Sequence, residues 1–211
     1  MPAMMPNVRQ HLHLYIFVSV IFAIGIVFGA LLVNTLTFEQ QQELSRHLNQ
    51  AFISVAQHAD ETTFLGTLWS YWRWVFLIAL FGLSIIGFPL VLIMDFAKGV
   101  LVGFTIGTLV GQYSWKGVII ALITVAPQNA IAIPLLLIAS VSSISIALYI
   151  MKNRLFVQRM KSLRDPFLHY ATVQVGAGIG MVVVAAIVTW ISPALMNWVS
   201  ALIQPGIAFN L

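Results

Sequence analysis

Uncharged apolar runs alternate along the chain with short polar breaks. Residues 14–33, 75–94, 99–113, 117–151 and 170–191 carry no charge. At about 1.5 Å per helical residue, a run of 20 spans a hydrocarbon core of about 30 Å. The 99–113 run falls short of that, and 117–151 is too long for one straight helix. The pattern predicts an all-α polytopic membrane protein with about five transmembrane helices and a broken or re-entrant segment near 112–134. The prolines Pro127 and Pro134 place the break, because each removes a backbone donor. A half-helix is expected before them and a spanning helix from about 131 to 151 after them. Broken helices are tolerated at membrane depth only under protein or water cover, so this segment belongs inside the bundle.

Glycine adds a second periodicity. Gly99, Gly103, Gly107 and Gly111 recur every fourth residue, and Gly25 and Gly29 repeat the spacing in the first run. Such stripes bring two backbones close together in lipid, where little else drives helices to associate. The partner is either another helix of the chain or a second copy, so a homodimer is one expectation.

The longest polar segment, 34–73, predicts an amphipathic helix. Thr37 and Gln40 have capping-box spacing. Leu44, Leu48 and Phe52 fall on one face. Glu39, Glu43, Arg46 and Gln50 fall between them and form a candidate partner surface. Trp69, Tyr71, Trp72 and Trp74 then suit an interfacial belt. Residues 193–211, with a Pro205-Gly206 break, are expected to form an external interfacial segment.

Composition closes off other classes. The 211 residues are 60% hydrophobic and 8% charged, too few charges to cover a soluble domain. One integral membrane domain is expected over 1–211. There is no cysteine, so neither disulfides nor thiol chemistry arise. The first run lacks a small-residue cleavage site and reads as a retained anchor rather than a signal peptide. Five of the ten Lys and Arg residues lie in 152–169, which the positive-inside rule makes a cytoplasmic loop. The N-terminus is then cytoplasmic and the C-terminus external. Seven basic residues fall inside (Arg9, Lys98 and the five) against three outside (Arg46, Arg73, Lys116). The net charge of +4 marks orientation, not nucleic-acid binding.

Catalytic chemistry has little to work with. The five histidines form no metal-binding motif, and no nucleophile elbow or phosphate-binding loop is present. No enzyme activity and no cofactor are expected. Asp95 and Lys98, three apart, are expected to form an ion pair at the membrane interface, leaving no charge in mid-span. A small-solute transporter or channel is the alternative, with Gln128 and Asn129 of the broken helix near the midplane.

The ordered set of motifs resembles the stage II sporulation protein M family of endospore-forming bacteria. The residues that carry the resemblance are Leu14-Tyr15-Ile16-Phe17, Gly25 through Ala30, Asn34, Lys98-Gly99, Gly103-Phe104-Thr105, Ala126-Pro127-Gln128-Asn129 and Pro134. Other branches of the wider family carry His-Gly after the first proline and Glu before the second. This chain has Gln128-Asn129 and Ala132, so chemistry based on that His and Glu does not transfer. The resemblance implies a membrane scaffold for engulfment that localises the peptidoglycan hydrolases, stage II sporulation proteins D and P, at the septal and engulfing mother-cell membrane.

Overall fold

A computed structural model describes the backbone of residues 8–57, 64–84, 86–155 and 164–203. All elements among these are helical: α1 (Val8–Leu32), a 3₁₀ turn (Val33–Thr35), α2 (Phe38–Gln57), α3 (Phe64–Gly82), α4 (Gly87–Thr124), α5 (Ala126–Leu155) and α6 (Arg164–Ile203). Five of the helices are long and apolar enough to cross a membrane, and α2 is not among them. The five-span, all-α expectation therefore holds, although several boundaries move.

The largest shift is between α3 and α4. The expected second span, 75–94, is in fact the end of one helix, a turn and the start of the next. Ser84 N–H donates to the Phe81 carbonyl at 2.9 Å, and Gly87 N–H to the Ser84 carbonyl at 3.0 Å. Glycine makes the turn fit. A Cβ on Gly82 would stand 2.6 Å from the Ser143 Cβ, and one on Gly87 would overlap the Phe81 carbonyl. The third span therefore begins at Gly87 rather than Gly99. At about 1.5 Å per residue, 87–113 is about 40 Å long and needs no pinched bilayer. Asp95 and Lys98 lie inside this span, not at its end.

Two breaks shape the 112–134 region, and neither falls at Pro134. Ser114, with φ 51° and ψ −127°, reverses the chain after residue 113. Residues 115–124 fold back along the same helix: Val102, Leu109, Ile120, Ala121 and Val125 form one buried cluster. A Cβ on Gly117 would overlap the Leu109 carbonyl. The second break is at Val125. Pro127, in the first turn of α5, has no N–H to give, and a proline is best tolerated there. The Val125 carbonyl accepts twice from Asn129, from its backbone N–H at 3.3 Å and from its side-chain amide at 2.8 Å. Pro134 sits inside α5.

The contacts set the helix directions. α1 and the 87–113 part of α4 run parallel: Gly99 meets Phe22 and Gly25, Gly103 meets Ile26, and Gly107 meets Ala30. α3 and α6 run antiparallel, with Tyr170 against Ala79 and Gly178 against Trp72. The start of α1, the α3–α4 turn, the end of α5 and the start of α6 thus share one end of the bundle. The α2 segment and Ser114 share the other, where Gln112 Nε2 donates to the Gln41 carbonyl at 3.1 Å. The main core lies between α3, α4, α5 and α6, around Ile78, Val91, Ala139, Ile144, Met181 and Val184.

α2 opens with the expected capping box. Thr37 N–H donates to Gln40 Oε1 at 3.0 Å, and Gln40 N–H to Thr37 Oγ1 at 3.4 Å. Beyond Gln57 the next helix starts at Phe64, so Trp69 to Trp74 belong to α3 rather than to the polar segment. α6 continues past Pro193 to Ile203, so no separate short helix forms over those residues. Arg159, Lys161 and residues 204–211 lie outside the described residues.

Candidate functional site

The glycines of the two stripes face each other. A Cβ on Gly25 would lie 2.5 Å from the Phe96 carbonyl oxygen, and one on Gly107 2.9 Å from that of Ala30. On Gly29 it would overlap the Val100 carbonyl, and on Gly103 that of Ile26. Real Cβ atoms do not approach this closely, so each position needs glycine. Gly111 is different: its nearest neighbour, a Val33 methyl, is at an ordinary 3.7 Å. The contact is within one chain, so the stripe that the spacing offered to a second copy is already occupied.

On its other side α4 meets a layer of polar side chains. Asp95 is fully buried, and Ser140 Oγ donates to its Oδ1 at 2.6 Å. Its Oδ2 has no partner. Lys98, one turn on, does not pair with Asp95. Its Nζ stands 5.2 Å from the centroid of the Trp74 ring, within cation–π range. The expected ion pair is therefore absent, because the core supplies each group with a different partner. The expectation of uncharged spans also fails, because both groups lie within a span.

The layer extends through α5 and α6. Tyr71 OH donates to Gln128 Oε1 at 2.8 Å, joining α3 to the start of α5. Gln174 Nε2 donates to the Ala139 carbonyl at 3.0 Å and to Ser143 Oγ at 2.8 Å. Its Oε1 is buried without a partner. Tyr170 OH donates to the Ala79 carbonyl at 2.6 Å. A cavity of about 10 Å³ lies beside Tyr71, Trp74, Lys98 and Asn129. That is about the room one water needs. A larger cavity of about 620 Å³ adjoins it, lined by Val102, Val110, Leu122, Val125 and Pro134, with Asn129 common to both.

The predicted residues separate into three places. The glycines line the α1–α4 contact. Gln128 and Asn129 join the polar layer, while Pro127 and Pro134 sit exposed on α5. Glu39, Glu43, Arg46 and Gln50 are exposed on α2, remote from both. The aromatic belt divides by face: Tyr71 and Trp74 turn inward, Trp69 outward, and Trp72 lies half exposed against Gly178 of α6. Sequence reasoning missed Asp95, Ser140, Ser143 and Gln174 as a group. Gly82, Ser84 and Gly87 were the signal, because a turn there puts Asp95 two helical turns inside a span.

Among the described residues, no three His, Cys, Asp or Glu side chains gather as a metal site requires. The layer is equipped to hold helices in register and to bind polar groups. A family model, stage II sporulation protein M, matches residues 18–193. The chain belongs to the stage II sporulation protein M family. No curated protein and no solved structure matches it. The match runs from inside α1 to α6, so it includes both glycine stripes, both breaks and the whole polar layer of this sporulation-related membrane protein.

Proposed function

We propose that this member of the stage II sporulation protein M family is a non-enzymatic membrane scaffold of engulfment, localising the wall hydrolases, stage II sporulation proteins D and P, at the septal and engulfing membrane. Membership of the family carries this reading. The fold is compatible with it: a five-span bundle that leaves the charged face of α2 exposed for a partner. In this reading the end of the bundle with the basic α5–α6 connection is cytoplasmic. Lys98 and Arg73 are now within spans, so six basic residues remain at that end (Arg9 and the five of 152–164) against two at the other (Arg46, Lys116). α2 and the end of α6 are then external. The test is deletion of the gene in a spore-forming host, with fluorescence imaging of the membrane moving around the forespore. Arrest, rescued by the intact gene, is the expected result. Normal engulfment would overturn the reading.

One observation favours a second reading, a small-solute transporter. Asp95, Lys98, Gln128 and Asn129 sit at mid-bundle beside a helix break, where transporters place binding groups. Thermal stabilisation of the purified protein by a small polar solute, lost in Lys98→Ala, is its expected signature. Flat melting curves across a solute panel would remove it.

A further inference from the structure

α3 is the least apolar of the five spans and also the least buried. Only 11% of its span is buried, against 28% to 50% for the others. This inverts what lipid favours, since the least apolar helix should be the best covered. Its open face is continuous: Leu65, Trp69, Phe76 and Leu80 are all more than half exposed, at helical spacing, and Trp72 stands at its edge against Gly178 of α6. Arg73 lies exposed in the middle of that face. It is nine residues, about 13.5 Å, from either end of α3. An isolated Arg facing the bilayer centre costs at least about 2.5 kcal/mol.

The charge at this depth is also unbalanced. Arg73 and Lys98 are two cations, and among the described residues Asp95 is the one acid, bonded to Ser140. Among the described residues, a second copy offers nothing that restores the balance. The chain has six acids; Asp60 and Glu61 lie outside the described residues, and of Glu39, Glu43, Asp95 and Asp165 only Asp95 lies within a span, where it is buried.

We infer that the outward face of α3 docks a transmembrane helix of a different protein, one carrying a carboxylate at the depth of Arg73. The aromatic and leucine ridges pack along that helix while the guanidinium takes both carboxylate oxygens, a geometry Arg suits. This deepens the scaffold reading and rests on it for the premise that the partner is membrane-anchored.

The full-length protein in liposomes is titrated with labelled polyleucine transmembrane peptides bearing Glu, Lys or no charge at their centre. The Glu peptide is expected to bind roughly 3- to 20-fold tighter than the uncharged one, the effect of one interhelical polar contact. Arg73→Gln should erase that preference, and Arg73→Glu should transfer it to the Lys peptide. Equal binding of all three peptides to the unaltered protein overturns the inference, whether or not the variants fold. In host membranes, a photocrosslinker at Trp69 or Phe76 should label a polypeptide in an Arg73-dependent way. Labelling of lipid alone also overturns the inference, because the face then docks no helix. The peptide test contains no hydrolase and the engulfment test does not address α3, so either reading can fail without the other.

Discussion

The two sides of α4 are held in opposite ways. Toward α1 it presents glycine, and the backbones meet with no side chain between them. Toward α5 it presents Asp95, which reaches across to Ser140. The first side depends on shape: at Gly25, Gly29, Gly103 and Gly107 an added atom strikes a carbonyl. The second depends on satisfying polar groups, where a lost donor leaves a buried carboxyl oxygen without a partner. Lipid makes both necessary, because it neither drives helices together nor hydrates what they bury.

Substitutions can break each side separately. The largest effect is expected at Gly103→Leu, where the new side chain has no space beside the Ile26 carbonyl. Overpacking of this kind costs about 3 kcal/mol or more when backbone cannot yield. A large fall in the detergent melting temperature would show it, and an unchanged one would mean that α1 is not held by this seam. Ser140→Ala comes next. It removes the one donor to Asp95 and should cost about 1–3 kcal/mol, the cost of an unsatisfied buried acceptor. In an Asp95→Leu background the same change should cost little. That non-additivity, read from a double-mutant cycle, separates a direct bond from general packing.

Ser114→Val is expected to cost about 1–2 kcal/mol, because a β-branched residue resists positive φ. Ser114→Gly should equal or exceed the parent in stability, and a loss on going to glycine would rule out backbone strain at the reversal. The smallest effect belongs to Gly111→Ala, where a methyl meets Val33 at an ordinary distance. A loss beyond about 0.5 kcal/mol would extend the close seam further than the geometry allows, whereas a gain reflects only alanine's better helix propensity.

The same contrast explains what was legible in the sequence. The five spans follow from long apolar runs, and the α2 cap from Thr37 and Gln40, because both signals are local. Glycine register is visible for the same reason, though not which helix faces which. The α3–α4 boundary is not legible because the sequence is apolar on both sides of Ser84, and apolarity runs nearly unbroken across the turn. Charge marks a helix end by the same local rule, so Asp95 and Lys98 read as an ion pair at the membrane interface. That rule holds where charged groups meet water. It fails where the fold supplies a hydroxyl from 45 residues away or an indole ring from a neighbouring helix. The long-range partners Ser140 and Gln174 leave no local signature, since serine and glutamine in an apolar helix look alike whether or not they are bonded.

The parallel pairing of α1 with α4 sets a schedule for biogenesis. The surface that receives Gly25 and Gly29 is made only when Gly99 and Gly103 emerge from the ribosome, roughly 75 residues later. At about 5–20 residues per second, this leaves the first helix in the bilayer for roughly 4–15 s before its intended neighbour exists. During that interval its groove is open to any small-faced helix nearby. Slowing translation between α1 and α4 should therefore raise the yield of entangled assemblies in which one chain's first helix is held by another chain's fourth.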